Sequence, residues 1–228
     1  MSSPFLNKTL DYSSSDGAEA TLRSIFGAAL KADWRQAFIA RGFGWHADSG
    51  AFSTPGAGGG AAAVIDQDRP NMLISVTAGY TLVPLRIHVT TQTPLIAADS
   101  DESEILIAAD IAAAAAGIGS ATTAVTPVNM RTNVATGCSA TVYKTLSANI
   151  TNPTLGLELG HAVTIGDVQG TAANALWGNL SLLYEPMNPP LLVGPCAIYV
   201  YHGGTVATTG FINSDFLVLP SSLVTSLV

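Results

Sequence analysis

The sequence predicts a mainly β fold, an antiparallel jelly-roll β-sandwich carrying an N-terminal helical arm. Three observations predict it. Beyond residue 64, apolar residues recur at every second position, the period of a strand with one buried face. Turn residues interrupt that pattern in "TNPTLG" (151–156), "DVQG" (167–170), "EPMNPP" (185–190) and "HGGT" (202–205). The first forty residues instead space their apolar side chains three and four apart, the period of a helix with one apolar face. Strands divided by Gly, Pro and Asn turns, with no helical period between them, make an antiparallel sandwich. The long stretch at 112–139 suits the wide loops of a jelly roll better than tight hairpins.

The arm comes first. In "SDGAEATLRSIFGAALKADWRQAFIARGFG", Leu22, Ile25, Phe26, Leu30, Trp34 and Phe38 fall on one helical face. Asp16 and Glu19 form a capping-box pattern and Gly42 supplies a stop, so the spacing predicts a helix over about 18–41. Gly27 weakens it, by roughly 1 kcal/mol against Ala. "STPGAGGGAAA" (53–63) reads as a flexible joint. Its Gly56-x-Gly58-x-x-Ala61 lacks the strand before and helix after that a dinucleotide fingerprint needs. The expected organisation is an arm and joint over 1–60 and a sandwich over 61–228.

The strands follow. "TLVPLRIHVTTQT" sets Val83, Leu85, Ile87 and Val89 against Pro84, Arg86, His88 and Thr90. Pro84 gives no ladder hydrogen bond, which places this strand at an edge or at a bulge. "LELGHAVTIGDV" puts Leu159, His161, Val163 and Ile165 on one side; "LWGNLSLLYEP" does the same for Leu180, Leu182 and Tyr184. "CAIYVYH" aligns Ile198, Val200 and His202, and Gly203–Gly204 then turn the chain into "FINSDFLVLP" as a last hairpin. "DSDESE" (99–104), with four acids in six residues, reads as a solvated loop.

Composition narrows the function. With 48% hydrophobic and only 11% charged residues, the chain carries well under the usual quarter of charge, which points to surface covered by other subunits. A net charge of −7, with no Lys or Arg after Lys144, excludes nucleic-acid binding by phosphate neutralisation. No tract resembles a membrane span: "ILIAADIAAAAAGIG" (105–119) is rich in alanine and broken by Asp110 and two glycines. The N-terminus lacks a secretory leader pattern, and Cys138 and Cys196, without CxxC spacing, read as free thiols. The four histidines lie at least forty residues apart, so no metal-ligand spacing appears. No G-x-S-x-G elbow occurs either. Catalytic, metal and cofactor sites are therefore expected to be absent, which sets aside an enzyme such as a sugar-processing jelly roll.

"LWGNLSLLYEPMNPPLLVGPCAIYVYHGGTVATTGFINSDFLVLPSSL" (176–223), with "TPVNMRTNVATGCSATVY" and "GYTLVPLRIHV" before it, resembles a family of structural proteins of tailed phages. The resemblance spans about residues 70–223 and implies a jelly roll similar to trimeric tumour-necrosis-factor-like folds. It further implies a virion protein assembled in the host cytoplasm: a capsid decoration or cement protein, homotrimeric, bound to the major capsid protein. On that reading Leu22, Ile25, Phe26, Leu30, Trp34 and Phe38 make the capsid contact, and Tyr199 and Tyr201 the subunit interface. A receptor-binding fibre or spike head, or a minor capsid protein, is the alternative.

Overall fold

The computed structural model describes residues 21–22, 30–31, 33–51, 53–58, 65–92, 102–111, 123–132, 137–144, 154–165, 180–204 and 208–225. Two antiparallel sheets face each other. One contains β5 (Met72–Val76), β7 (Glu102–Asp110), β8 (Thr123–Val125), β10 (Ala140–Lys144), β11 (Leu157–Ile165) and β14 (Cys196–Gly204). Its strand order is β11-β7-β14-β5-β10-β8. The other is built on β3 (Gly44–Ser49), β6 (Tyr80–Thr91), β9 (Val128–Asn129), β12 (Ser181–Tyr184) and β15 (Thr209–Pro220). Its order is β12-β6-β15-β3-β9, with β4 (Gly56–Ala57) beside β15 and β13 (Leu192–Val193) beside β6. The expected β-sandwich is present.

Alternation along the strands fills the space between the sheets. Ile74, Ile105, Ile107, Ile198 and Val200 point in from one sheet, and Trp45, Ile87, Val89, Ile212 and Phe216 from the other. Leu180, Leu182 and Tyr184 pack against this core as their spacing predicts. Strand β6 departs from its simple pattern. Its pairing with β15 slips between Asp215 and Phe216, which matches Asp215 to Arg86 and Phe216 to Pro84 and leaves Leu85 as the extra residue. Such a bulge reverses which face a side chain takes. Ile87 and Val89 therefore face the core, whereas Val83 and Leu85 join Leu217 and Leu219 on the outer face. Pro84 sits beside the bulge, in the gap between β13, which reaches Leu82, and β12, which starts at Ile87. Strand β11 bulges between Glu158 and Gly160, and the side predicted to be buried splits. Leu159 packs on the core, but Val163 is 43% exposed.

Among the described residues of the helix expected over 18–41, those of α1 (Trp34–Ala40) are helical. Upstream, β1 (Thr21–Leu22) and β2 (Leu30–Lys31) pair antiparallel, with Leu22 opposite Leu30. Asp33 explains the late start: it is the N-cap, and its side chain accepts from the Arg35 amide at 3.3 Å. Gly42 ends the helix as expected, with φ 86° and its amide donating to Ile39 O at 2.8 Å. The helix lies on the outer face of the seven-stranded sheet. Phe38 and Ile39, with Phe43 and with Val224 of α2 (Ser221–Thr225), cover Val83, Leu85, Leu217 and Leu219.

Three further expectations change. The Gly-rich joint is not a loose tether where it is described: β4 pairs with β15, and Gly58 donates to Thr208 O at 2.7 Å. A Cβ at Gly58 would fall 2.7 Å from His202 O, so a glycine is needed there for close approach. The acids of 99–104 run into β7, where Glu102 and Glu104 are strand residues. Finally, β14 and β15 belong to different sheets, so the Gly203–Gly204 segment leads a crossover between sheets instead of a hairpin.

Both cysteines are free thiols. Cys196 donates to Leu192 O at 3.3 Å from inside the core, while the sulfur of Cys138 accepts from the Ala140 amide at 3.4 Å. Burial pushes each thiol up to about 11, so neither forms much thiolate at neutral pH. Alkylation of the native protein should be slow, and denaturation without reductant should expose two labelled cysteines by intact mass. Zero labels would reveal a disulfide.

Candidate functional site

The outer face of the seven-stranded sheet divides in two. The half under α1 is apolar, as above. The other half is polar, because β3, β15 and β6 bring together side chains from distant parts of the chain. His46 Nδ1 lies 2.6 Å from Asp215 Oδ1, and its Nε2 lies 2.9 Å from Asp48 Oδ1. Arg86 reaches Asp215 from the opposite side at 3.8 Å. Burial alone would lower the basicity of His46, but the hydrogen bond to Asp215 and the charge of Asp48 outweigh it and raise its pKa above 6.5. Sequence spacing had no means of finding this group, since His46 and Asp215 are 169 positions apart.

One row further along, His88 Nε2 lies 3.0 Å from Ser181 Oγ and 3.3 Å from Thr90 Oγ1. A serine within reach of an imidazole is the geometry of a nucleophile and its base. Here the pair sits on an exposed sheet face, where water screens any charge that develops. The same ring nitrogen is shared with Thr90. On the other sheet, His161 pairs with Glu104 at 2.6 Å. Among the described residues, no group of three or more His, Cys, Asp or Glu side chains is placed to hold a metal ion. Nor is any helix among them long and apolar enough to cross a membrane.

His202, the histidine beside the glycine pair, is 1% exposed. Burial lowers its pKa to about 4, so the ring is neutral. Its Nδ1 meets Thr208 Oγ1 at 3.1 Å, and its backbone amide donates to Asn71 Oδ1 at 2.7 Å. Asn71 also donates from its side chain to Ala57 O and from its backbone to Val200 O. These contacts tie β14 to the start of β5 and to β4, which is a structural use of the imidazole.

The residues expected to make contacts are distributed differently from the expectation. Tyr199 and Tyr201 are 3% and 1% exposed within the single chain, so neither ring is available to a neighbouring subunit. With Ile65, Leu73 and Ala197 they form a second apolar layer on the outer face of the six-stranded sheet, flanked by Leu155. The Tyr201 hydroxyl donates to Gln67 O at 2.9 Å. Burial pushes the Tyr199 phenol up to about 12 and that of Tyr201 higher still. The chain itself covers a face that alternation alone left open. In the arm, Phe38 packs inward on the sheet, and Leu22 and Leu30 belong to the β1–β2 ribbon. Ile25 and Phe26 lie outside the described residues. Trp34 stays 41% exposed, with Arg35 over its ring at 5.6 Å.

The exposed apolar side chains mark a different surface. β11 and β12 are the last strands of their respective sheets on one side of the sandwich, and they lie close together: a Cβ at Gly160 would fall 3.4 Å from Leu182. Leu157 and Val163 are exposed on β11, Ile111 beside Gly156 just before it, and Leu183, Leu191 and Val193 on or beside β12 and β13, with Met187 84% exposed between β12 and β13. Arg35 donates to Pro186 O and Met187 O, which ties the start of α1 to the connection between β12 and β13. Val128 of β9 and Met130 just after it are exposed at the other end of the sheet.

Comparison with known proteins gives no match to a protein family, to a curated protein or to a solved structure.

Proposed function

We propose that the chain is a structural protein of a tailed-phage virion, a capsid decoration protein that acts as a homotrimer without catalysis or cofactor. The observation that carries this reading is that β11 and β12 leave two sheet edges side by side, with exposed apolar side chains on and beside both strands. An apolar surface next to open edges invites unlimited pairing in a monomer, and a closed cyclic assembly covers it. The strand order supports a jelly roll. Lettered A to H, strands β3, β5, β6, β7, β11, β12, β14 and β15 stand as A-H-C-F in one sheet and B-G-D-E in the other, the arrangement of two interleaved Greek keys. The place on a virion rests on the sequence blocks at 79–89, 126–143 and 176–223. Exposed Trp34 and the segment before it make the contact to the major capsid protein.

Light scattering coupled to gel filtration should give about three times the 23.3 kDa chain mass, unchanged by salt because the contact is apolar. Leu183→Glu combined with Val193→Glu should yield a folded monomer, since both side chains are more than half exposed in the single chain. A wild-type monomer at micromolar concentration would refute the trimer. Cryo-EM of particles that carry the chain should place trimeric knobs on the outer capsid. Density at the tail tip would assign it to a fibre or spike head instead.

A further inference from the structure

On the polar half of the seven-stranded sheet, the two ring nitrogens of His46 face two carboxylates. Nδ1 stands 2.6 Å from Asp215 Oδ1. An ionised carboxylate only accepts, so Nδ1 carries the proton and the lone pair of a neutral ring lies on Nε2. Nε2 stands 2.9 Å from Asp48 Oδ1, an oxygen closed to solvent that accepts no aligned hydrogen bond. We propose that His46 Nε2 and Asp48 Oδ1 together bind a divalent transition-metal ion of tetragonal preference, Cu²⁺ foremost, with water completing its coordination.

Distance, charge and supporting contacts each contribute to that choice. Imidazole nitrogen and carboxylate oxygen sit about 2.0–2.2 Å from such an ion. Two of them 2.9 Å apart therefore subtend about 90° at it. That angle belongs to the tetragonal N,O sites of Cu²⁺ and Ni²⁺ and is too narrow for tetrahedral zinc. Of the divalent first-row ions, Cu²⁺ binds a given site most tightly. A histidine that ligates a metal almost always gives its other N–H to a carboxylate, which fixes the ring, and Asp215 is that partner. Arg86 approaches the second oxygen of Asp215 at 3.8 Å and balances its charge, so with a neutral ring the negative charge of Asp48 calls for a cation. Residues i and i+2 share one face of a strand. His46 and Asp48 therefore stand together on β3, while Ala47 between them faces the core. Among the described residues no third His, Cys, Asp or Glu joins them as a ligand. The site has two protein ligands, 35% and 43% exposed, and is open to water. It is separate from the edges assigned to assembly, since β6 and β15 lie between β3 and β12.

The test uses the full-length chain without an appended histidine tag. Histidine ring signals are followed by NMR while Cu²⁺ is added, with Ni²⁺ and Mg²⁺ as comparisons. Cu²⁺ should saturate at one equivalent in the micromolar range and broaden the His46 ring before those of His88 and His161. Electron paramagnetic resonance of the bound ion should show a tetragonal spectrum with one imidazole nitrogen. Ni²⁺ should take the same site more weakly, and Mg²⁺, which prefers oxygen ligands, should leave the rings unchanged. His46→Gln should abolish binding, and Asp48→Ala should weaken it about tenfold or more. The proposal is overturned if Cu²⁺ gives no saturable binding, which would leave His46 as an imidazolium held between two carboxylates. It is also overturned if His88 or His161 responds first, or if a folded form of either variant binds Cu²⁺ like the wild type. Should a variant unfold, the order in which the wild-type rings respond still decides.

Discussion

A chain that begins at residue 61 will not fold, whereas one that begins at residue 33 will unfold as cooperatively as the full-length protein. The reason is the position of β3, which stands between β15 and β9. All six of its residues pair with β15, from Gly44 opposite Leu217 to Ser49 opposite Ile212. Removing β3 takes Trp45 and Ala47 out of the core and strips one side of β15. The same cut removes Phe38, Ile39 and Phe43, which cover the outer face of that sheet. Losing one buried tryptophan side chain costs about 3–5 kcal/mol, and a whole domain is stable by about 5–15 kcal/mol. Several such losses together exceed what the domain has. Circular dichroism during a urea titration checks it: the shorter chain should show no cooperative transition. A cooperative transition with the full-length midpoint would mean that β3 is dispensable. The experiment also sets the right variant for testing the arm. Loss of capsid binding on deleting the first 60 residues would report unfolding, while deletion of the first 32 removes β1 and β2 and leaves the sandwich intact.

Acid will weaken the fold through His202. Its folded pKa of about 4 lies below the ordinary 6.5, so between those values the unfolded chain binds the additional proton. Stability therefore falls as pH falls through that window and is fully present above it. A displacement of this size corresponds to about 3 kcal/mol, a large share of a domain's stability. His46 has the opposite sign, because its pKa is raised. Its contribution is complete below 6.5 and disappears as pH rises through the folded value. Stability should thus peak near pH 6.5. Urea midpoints measured across the acidic range check this, and His202→Gln should flatten the slope below the peak. An unchanged slope in that variant would assign the acid sensitivity to other groups.

Local pattern revealed those parts of the fold that local chemistry determines. The alternation in 180–184 and 196–202 identified the core-facing residues of β12 and β14, and Gly42 marked the end of α1. What it missed depends on partners far away in the chain. The reversal at Leu85 exists because β15 pairs with β6 out of step, which the alternation of β6 alone does not encode. Tyr199 and Tyr201 carry the same spacing whether their face meets a neighbour or the chain's own Ile65 and Leu155. The arm differs for another reason: among its described residues β1 and β2 pair ahead of Asp33, which caps a helix of seven residues. The polar face depended entirely on register, since His46, Arg86 and Asp215 become neighbours only when three strands align.

That alignment also governs the timing of folding during synthesis. β15 occupies an interior position of its sheet, between β6 and β3, yet its contact with β3 joins residues 169 apart, as in the His46–Asp215 pair. On a ribosome, β3 and β6 emerge with the strand that must lie between them still unmade. Their facing edges then wait for over a hundred residues of elongation before the sheet can close. Pairings of such long range slow folding and prolong the exposure of open edges. Until β15 arrives, a nascent chain is thus vulnerable to edge-to-edge pairing with the chains on neighbouring ribosomes.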